Sequence, residues 1–366
     1  MNVQVPKRQL LDSLGHVERI IPSRSSNPSL SLLKLELTDS LTDSGLTFSG
    51  SNMDLDIESR LPADVKGTGT VAVPAQVFSQ VVRALPGELV ELDFSEREVE
   101  IRSGSYDTSL QLADAGGIPE LRFPESYRGG FDGATLGRAL AHVRYAAAVA
   151  EYQAIFRGVK LELADGRTRA VATDGFRLAY YHLEDSSGLS GNLVIPARSV
   201  DELVKVLSGG EVALELMDGQ LSLRSGQVKL NVKLMEGDFP DYSRVIPKQF
   251  ALSLVMAAGA LAEAVARVAV MADKTSNNRV DLFLKDGRLQ ITAEGAYGRS
   301  QESLEVVQEG DESQIAVAYN AKYLVDALAP MDGDLRLSLS GTTSPSVLAS
   351  LAEPSYFAMV VPLRTG

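Results

Sequence analysis

The feature that most restricts how this chain can fold is a repeat. The 366-residue sequence runs through the same order of segments three times, at a spacing of about 122 residues. Repetition at a fixed period implies a tandem array of one structural unit. Amphipathic, helix-period segments open each third at 7–21, 133–150 and 257–272. Strand material follows at 46–50, 168–172 and 289–293, preceded by Gly45, Gly166 and Gly287, which are spaced by 121. A second helix is then entered at Pro74, Pro196 and Asn320, residue types suited to a helix start, with spacings of 122 and 124. It ends in a glycine-containing turn and hands over to alternating strands at 89–94, 212–216 and 335–339.

The expected fold class is therefore α+β, with three tandem copies of a domain in which two helices pack on antiparallel sheets. Pro/Gly-rich links at 114–130 and 246–248 set the expected domains at 1–122, 123–247 and 248–366. A hydrophobic content of 45% supplies apolar material for several cores, and 23% charged residues give no sign of disorder.

Several function classes drop out on composition. There is no Cys, and His16, His142 and His182 are the three histidines. Disulfides, thiol nucleophiles, thiolate zinc sites and most histidine catalysis are thereby excluded, and a reducing cytoplasm fits. No stretch approaches the apolar length of a membrane span, and no basic segment followed by an apolar run opens the chain, so neither a membrane protein nor an exported one is expected. Gly-rich loops of the GxxxxGK type are absent, no Ser/His/Asp ordering stands out, and Asp54 and Asp56 lie in the alternation of a solvated strand face. The sequence reads as a scaffold without catalytic residues, cofactor or metal.

Charge requires closer reading. A net charge of −13 taken as one number argues against nucleic acid. The helical segments tell a different story. Lys7, Arg8, Arg19 and Arg24 outweigh Asp12 and Glu18, Arg83 stands alone on its helix, and Arg138 and Arg144 occur with no acid. The helix bearing Arg198 and the two helices of the last third are balanced, so six segments total +5 against −18 elsewhere, the net being −13. Helices sharing one side would make that side suited to phosphates. Equally, Arg and Lys are ordinary helix formers.

Three segments exceed what the repeat requires. The run Thr173-Asp174-Gly175-Phe176-Arg177-Leu178-Ala179 is a strand, an Asp-Gly turn and a strand, but the matching turn Glu294-Gly295-Ala296-Tyr297-Gly298 lacks its wording. Phe239-Pro240-Asp241-Tyr242-Ser243-Arg244-Val245-Ile246-Pro247 is either a peptide-binding patch of aromatic, proline and Arg or a stiffened linker. The tail Tyr356-Phe357-Ala358-Met359-Val360-Val361-Pro362-Leu363-Arg364 is apolar almost to its end, so it is either packed or binds something.

With these three segments in this order on a triplicated chain, the sequence resembles the bacterial DNA polymerase III beta-subunit family, the sliding clamps, over essentially its full length. The resemblance implies a head-to-tail homodimer closing into a six-domain ring around double-stranded DNA. Helices would line the hole, sheets would form the rim, and contact with phosphates would be loose and sequence-independent. It implies DNA contact at Arg24 and along helices carrying Lys7, Arg83, Arg138, Arg144 and Arg198. It extends this to Gln76, which replaces a usual basic residue, and to Tyr152 and Gln153, in a loop where a family tyrosine pair is replaced by Ala154 and Ile155.

The resemblance further implies a pocket for a short, partly hydrophobic peptide of polymerases and the clamp loader. It maps onto Thr173, Gly175, Phe176, Arg177 and Leu178, onto Pro240, Arg244 and Val245, and onto Met359, Val360, Val361, Pro362, Leu363 and Arg364. Gln153, Phe156 and Arg157 close one edge, and Phe176 stands where the enterobacterial sequence has His, making that wall more apolar. Arg at the edges suits a peptide that buries Leu or Phe. Val270 and Met271 are expected at the dimer interface, with core packing as the alternative. Two rival readings are an enolpyruvyl-type transferase, which requires basic residues converging on an anionic substrate, and a repeat-built structural or adhesion protein.

Overall fold

The computed structural model describes residues 1–149, 154–164, 166–183, 187–207, 209–310 and 314–364. The six expected helices are present as α1 (Lys7–Glu18), α2 (Ala75–Ala84), α3 (Gly133–Arg144), α4 (Ala197–Val206), α5 (Ala258–Val268) and α6 (Ala321–Leu328). The opening helices are shorter than the sequence pattern suggests. After α1 the amides of Ile20 and Ile21 reach back three residues to Val17 and Glu18, and after α5 a 3-10 turn covers Ala269–Met271. Apolar periodicity continues through such tightened turns, so it overstates the α-helical length.

The residues form two compact units. The first comprises Met1–Gly137, Ser187–Leu189 and Glu202–Leu234, and the second Arg138–Ser186, Ser190–Asp201 and Met235–Gly366. The first unit holds a five-stranded sheet ordered Val65–Lys66, Asn2–Pro6, Leu89–Phe94, Glu98–Ser103, Tyr106–Gln111. It also holds an eight-stranded sheet in which Val228–Lys233 pairs antiparallel with Leu55–Pro62, Leu230 opposite Ile57. The second unit holds a four-stranded sheet that ends on Gly298–Glu305. Its nine-stranded sheet joins Arg177–Leu183 to Tyr356–Val360, Leu178 opposite Met359.

Sheets thus run from one repeat into the next, which a sequence period cannot reveal. Alternation puts Leu35, Leu37, Leu46, Phe48 and Ile57 on the buried side of the first unit, and α1, with Leu10, Leu14 and Val17 buried, packs on the strands Gly45–Ser51 and Leu55–Pro62. In the second unit Leu261, Val265 and Val268 of α5 and Leu324 and Leu328 of α6 are equally buried. Among the described residues no helix is long and apolar enough to cross a membrane.

Candidate functional site: an aromatic-rimmed face on the nine-stranded sheet

The middle-repeat turn is built by its own polar side chains. Gly175 adopts φ +89, a conformation that side chains disfavour. The Asp174 carboxylate accepts the backbone N–H groups of Phe176 and Arg177 at 2.9 and 3.0 Å, and the Thr173 hydroxyl donates to the Arg177 carbonyl at 2.6 Å. The turn therefore has a fixed shape, with Phe176 projecting from it at 53% exposure. The Phe176 carbonyl accepts from the Val361 amide at 2.9 Å, tying the tail to the turn.

Arg177 does not stand at the rim as the sequence suggests. It is 7% exposed and pairs with Asp174 at 3.0 Å and with Asp326 of α6 at 2.6 Å. Its guanidinium lies 4.6 Å from the ring centre of Tyr323. Burial alone would lower its pKa, but Asp326 and Asp174 outweigh burial and raise it. Arg177 is a positioning residue that fastens the turn to α6.

Strand register sorts the remaining positions. Opposed pairs Thr173–Leu178, Leu178–Met359 and Met359–Val347 form one row across four strands, and Val171–Tyr180, Tyr180–Phe357 and Phe357–Ala349 form the next row on the same face. Leu178, Met359 and Val171 are buried there, with Tyr180, Phe239, Tyr242, Val347 and Phe357 packed against them. Val360 is opposite Arg177 and fully buried on the other face, so the tail cannot line the pocket residue by residue as the sequence reading had it. Pro362 is buried, Val361 and Leu363 are half-buried, and Arg364 is exposed. The Leu363 amide donates to Ala318 at 2.7 Å, so the tail is packed.

The segment from Phe239 to Val245 lies against this face. Asp241 caps the short turn Tyr242–Arg244 and pairs with Arg244 at 2.8 Å, leaving Pro240, Arg244 and Val245 exposed. Phe156 meets Phe239 edge to face at 5.9 Å, and Arg157 beside it is half-buried. Tyr242 donates to Glu162 at 2.9 Å, and Glu162 also pairs with Lys160 at 2.6 Å and Arg169 at 3.4 Å. Burial would raise the Glu162 carboxyl, but Lys160, Tyr242 and Arg169 hold it below its ordinary pKa. The Tyr242 hydroxyl is pushed up by burial and by Glu162.

The helix-borne cations are mostly compensated. Arg83 pairs with Glu18 at 2.6 Å, Arg138 with Glu353 at 3.7 Å and Arg144 with Asp201 at 2.7 Å. Lys7 donates to the carbonyls of Arg83 and Leu85 that close α2. The positive excess counted over longer sequence segments shrinks accordingly, because Arg19 and Arg24 lie beyond the last turn of α1. Arg24 and Arg198 are exposed and enter no ion pair among the described residues, and Gln76 is exposed on the first turn of α2. Tyr152 and Gln153 lie outside the described residues. Val270 is 78% and Met271 38% exposed in the turn after α5, which removes core packing as the reason for their apolar character.

The N-terminal, central and C-terminal domains of the DNA polymerase III beta subunit match residues 1–122, 131–241 and 243–364 of this chain. The chain belongs to that family. Its members are the sliding clamps, processivity subunits without catalysis. The beta sliding clamp of Caulobacter vibrioides is 29% identical and that of Bacillus subtilis 26%, each aligned over all of both chains. The crystal structure of the Bacillus subtilis DNA polymerase sliding clamp superposes with a TM-score of 0.93 at 25% identity, and that of the C. crescentus clamp with 0.90 at 26%, both covering all of each chain. These matches give the transferase alternative no support.

For this sliding clamp, sequence reasoning gathered Leu178, Met359, Pro240, Val245 and Phe156, but it missed Val171, Tyr180, Val347 and Phe357, which share the face. Their signal was available in the alternation of the strands. It became usable only once the pairing of Arg177–Leu183 with Tyr356–Val360 was known. The Glu162 cluster gave no signal, because Lys160, Glu162 and Arg169 look like ordinary strand-surface charges.

Proposed function

We propose that the chain acts as a head-to-tail homodimer whose closed ring is threaded by double-stranded DNA, and that its aromatic-rimmed face receives a short hydrophobic peptide from DNA polymerases and the clamp loader. The three repeats serve as clamp domains at 1–122, 123–247 and 248–366, in the cytoplasm. The observation that carries the reading is the tandem match of all three beta-subunit domains along one chain.

Free strand edges support self-association. Tyr106–Gln111 ends the five-stranded sheet and Gly298–Glu305 ends the four-stranded one, each with its residues largely exposed. Unpaired edges invite pairing with another chain. Val270 and Met271, exposed near the second edge, would be covered in such a dimer. Of the side chains expected to contact DNA, Arg24, Arg198 and Gln76 are exposed and free of ion pairs among the described residues, and a few exposed cations suit a protein held on DNA by topology. The C. crescentus clamp is described with PEG bound to a region assigned to beta-motif tethering. By that likeness the peptide would bury an apolar side chain against Leu178, Met359 and Val361 beside Phe176.

The test is topological. Loaded onto a nicked circular plasmid with its loader, the protein should stay bound in salt and run off once the plasmid is linearised. Retention on linear DNA would overturn the reading.

A further inference from the structure

Beyond the apolar rows, the same sheet face ends in a basic recess. Arg167 and Arg169 on one strand and Tyr180 and His182 on the next line an opening of about 280 Å³. The register puts Arg169 opposite His182, two residues along from the Val171–Tyr180 pair, so all four side chains continue the face that carries Leu178 and Met359. Between the apolar and basic ends, Tyr180 stacks on Phe357 at 4.7 Å, both half-buried, and approaches Tyr242 at 6.2 Å.

Among the described residues, those that line this recess include two arginines and no carboxylate, on a chain whose net charge is −13. Arg167 is exposed, and it enters no ion pair among the described residues. Arg169 keeps 38% exposure while sharing Glu162 with Lys160, so among the described residues one carboxylate is divided between two cations.

We propose that this recess receives acidic side chains of the same peptide whose hydrophobic anchor occupies the Leu178–Met359 row, so that partners of this protein carry Asp or Glu at a set distance from the anchor. The proposal rests on the peptide-binding reading above. Leu178 and His182 are four residues apart on one strand, about 13 Å at the usual rise, and an extended peptide covers that distance in about four residues. Two guanidinium groups beside an aromatic platform suit a carboxylate better than a neutral polar side chain. The occupant is therefore an acidic peptide, and phosphate groups of nucleic acid are the competing source of negative charge.

The experiment uses the full-length protein and two fluorescent decapeptides with the same Leu-Phe anchor, one with an Asp-Glu pair four residues away and the other with Asn-Gln in its place. Anisotropy should give about fivefold to tenfold tighter binding of the acidic peptide at low salt, with the preference fading as salt rises. In Arg167→Gln/Arg169→Gln the ratio between the two peptides should fall to about one. Equal binding of the two peptides by the unmodified protein would overturn the acidic site alone. Failure of both to bind would overturn the peptide pocket and this inference together. Displacement of the acidic peptide by a short single-stranded oligonucleotide, lost in the double variant, would assign the recess to phosphate instead and so refute the proposal.

Discussion

Replacing Arg177 by Ala distinguishes a residue that contacts the partner peptide from one that holds the pocket in shape. The side chain is 8% exposed, pairs with Asp174 at 3.0 Å and Asp326 at 2.6 Å, and stacks 4.6 Å from the Tyr323 ring centre. Breaking a buried ion pair from one side usually costs about 3–5 kcal/mol, since the abandoned charge stays desolvated. Here Asp326 keeps Lys322 at 2.9 Å, and Asp174 keeps the amides of Phe176 and Arg177. The lower end of that range applies, about 3 kcal/mol, or roughly a hundredfold in the opening equilibrium at about 1.4 kcal/mol per tenfold. Because the turn and the tail are joined through Phe176 and Val361, both should open together. Hydrogen exchange should be about a hundredfold faster at the amides of Phe176, Arg177 and Val361, with weaker peptide binding as the consequence. Arg177→Lys should recover only part of the loss, since it cannot span both carboxylates. Unchanged exchange together with lost peptide binding would refute this reasoning and make Arg177 a direct contact.

Other outcomes follow from the same geometry. Phe176→Ser removes a 53% exposed ring, so peptide affinity in an anisotropy titration should fall about tenfold with no change in melting temperature; a lower melting temperature would mean the ring supports the fold. Glu162 is held below its ordinary pKa of 4.5, so its stabilising contribution is fully present above that pH and is lost as pH falls through the lower folded value. Melting temperature against pH should therefore drop less steeply at the acid end in Glu162→Gln, and an unchanged acid limb would contradict this. Arg24→Ala and Arg198→Ala should each reduce the salt dependence of DNA association by about one phosphate contact. Arg83→Ala, by contrast, should lower the melting temperature slightly, since Glu18 is left with the Ser79 hydroxyl as its partner, and leave that slope as it was.

Much of the architecture was legible in the sequence because it is local. The helix-period segments and the Pro74, Pro196 and Asn320 starts became α1 to α6 in the expected order. The Asp174-Gly175 turn was readable because a left-handed residue after an Asx side chain has few substitutes. The site was legible only in part. Leu178 and Met359 lie far apart in sequence and are cross-strand neighbours. A pattern of period two says that each has a buried side but not which strand will lie beside it.

By itself the sequence determined the triplication, the helix and strand order, the absence of thiol chemistry and the three segments that mark the family. Tertiary structure decided which charges are free and which faces are shared. Lys7, Arg83, Arg138, Arg144 and Arg177 are all cations in the sequence, yet each is engaged by a carbonyl or a carboxylate from a distant segment. Val360 and Met359 are adjacent and equally apolar, yet a strand sends them to opposite faces, Met359 into the cluster with Leu178 and Val171 and Val360 to the other side of the sheet. The physical reason is the same in both cases. Charge compensation and side-chain direction are set by neighbours in space, and those neighbours exist only once sheets have formed across the repeats.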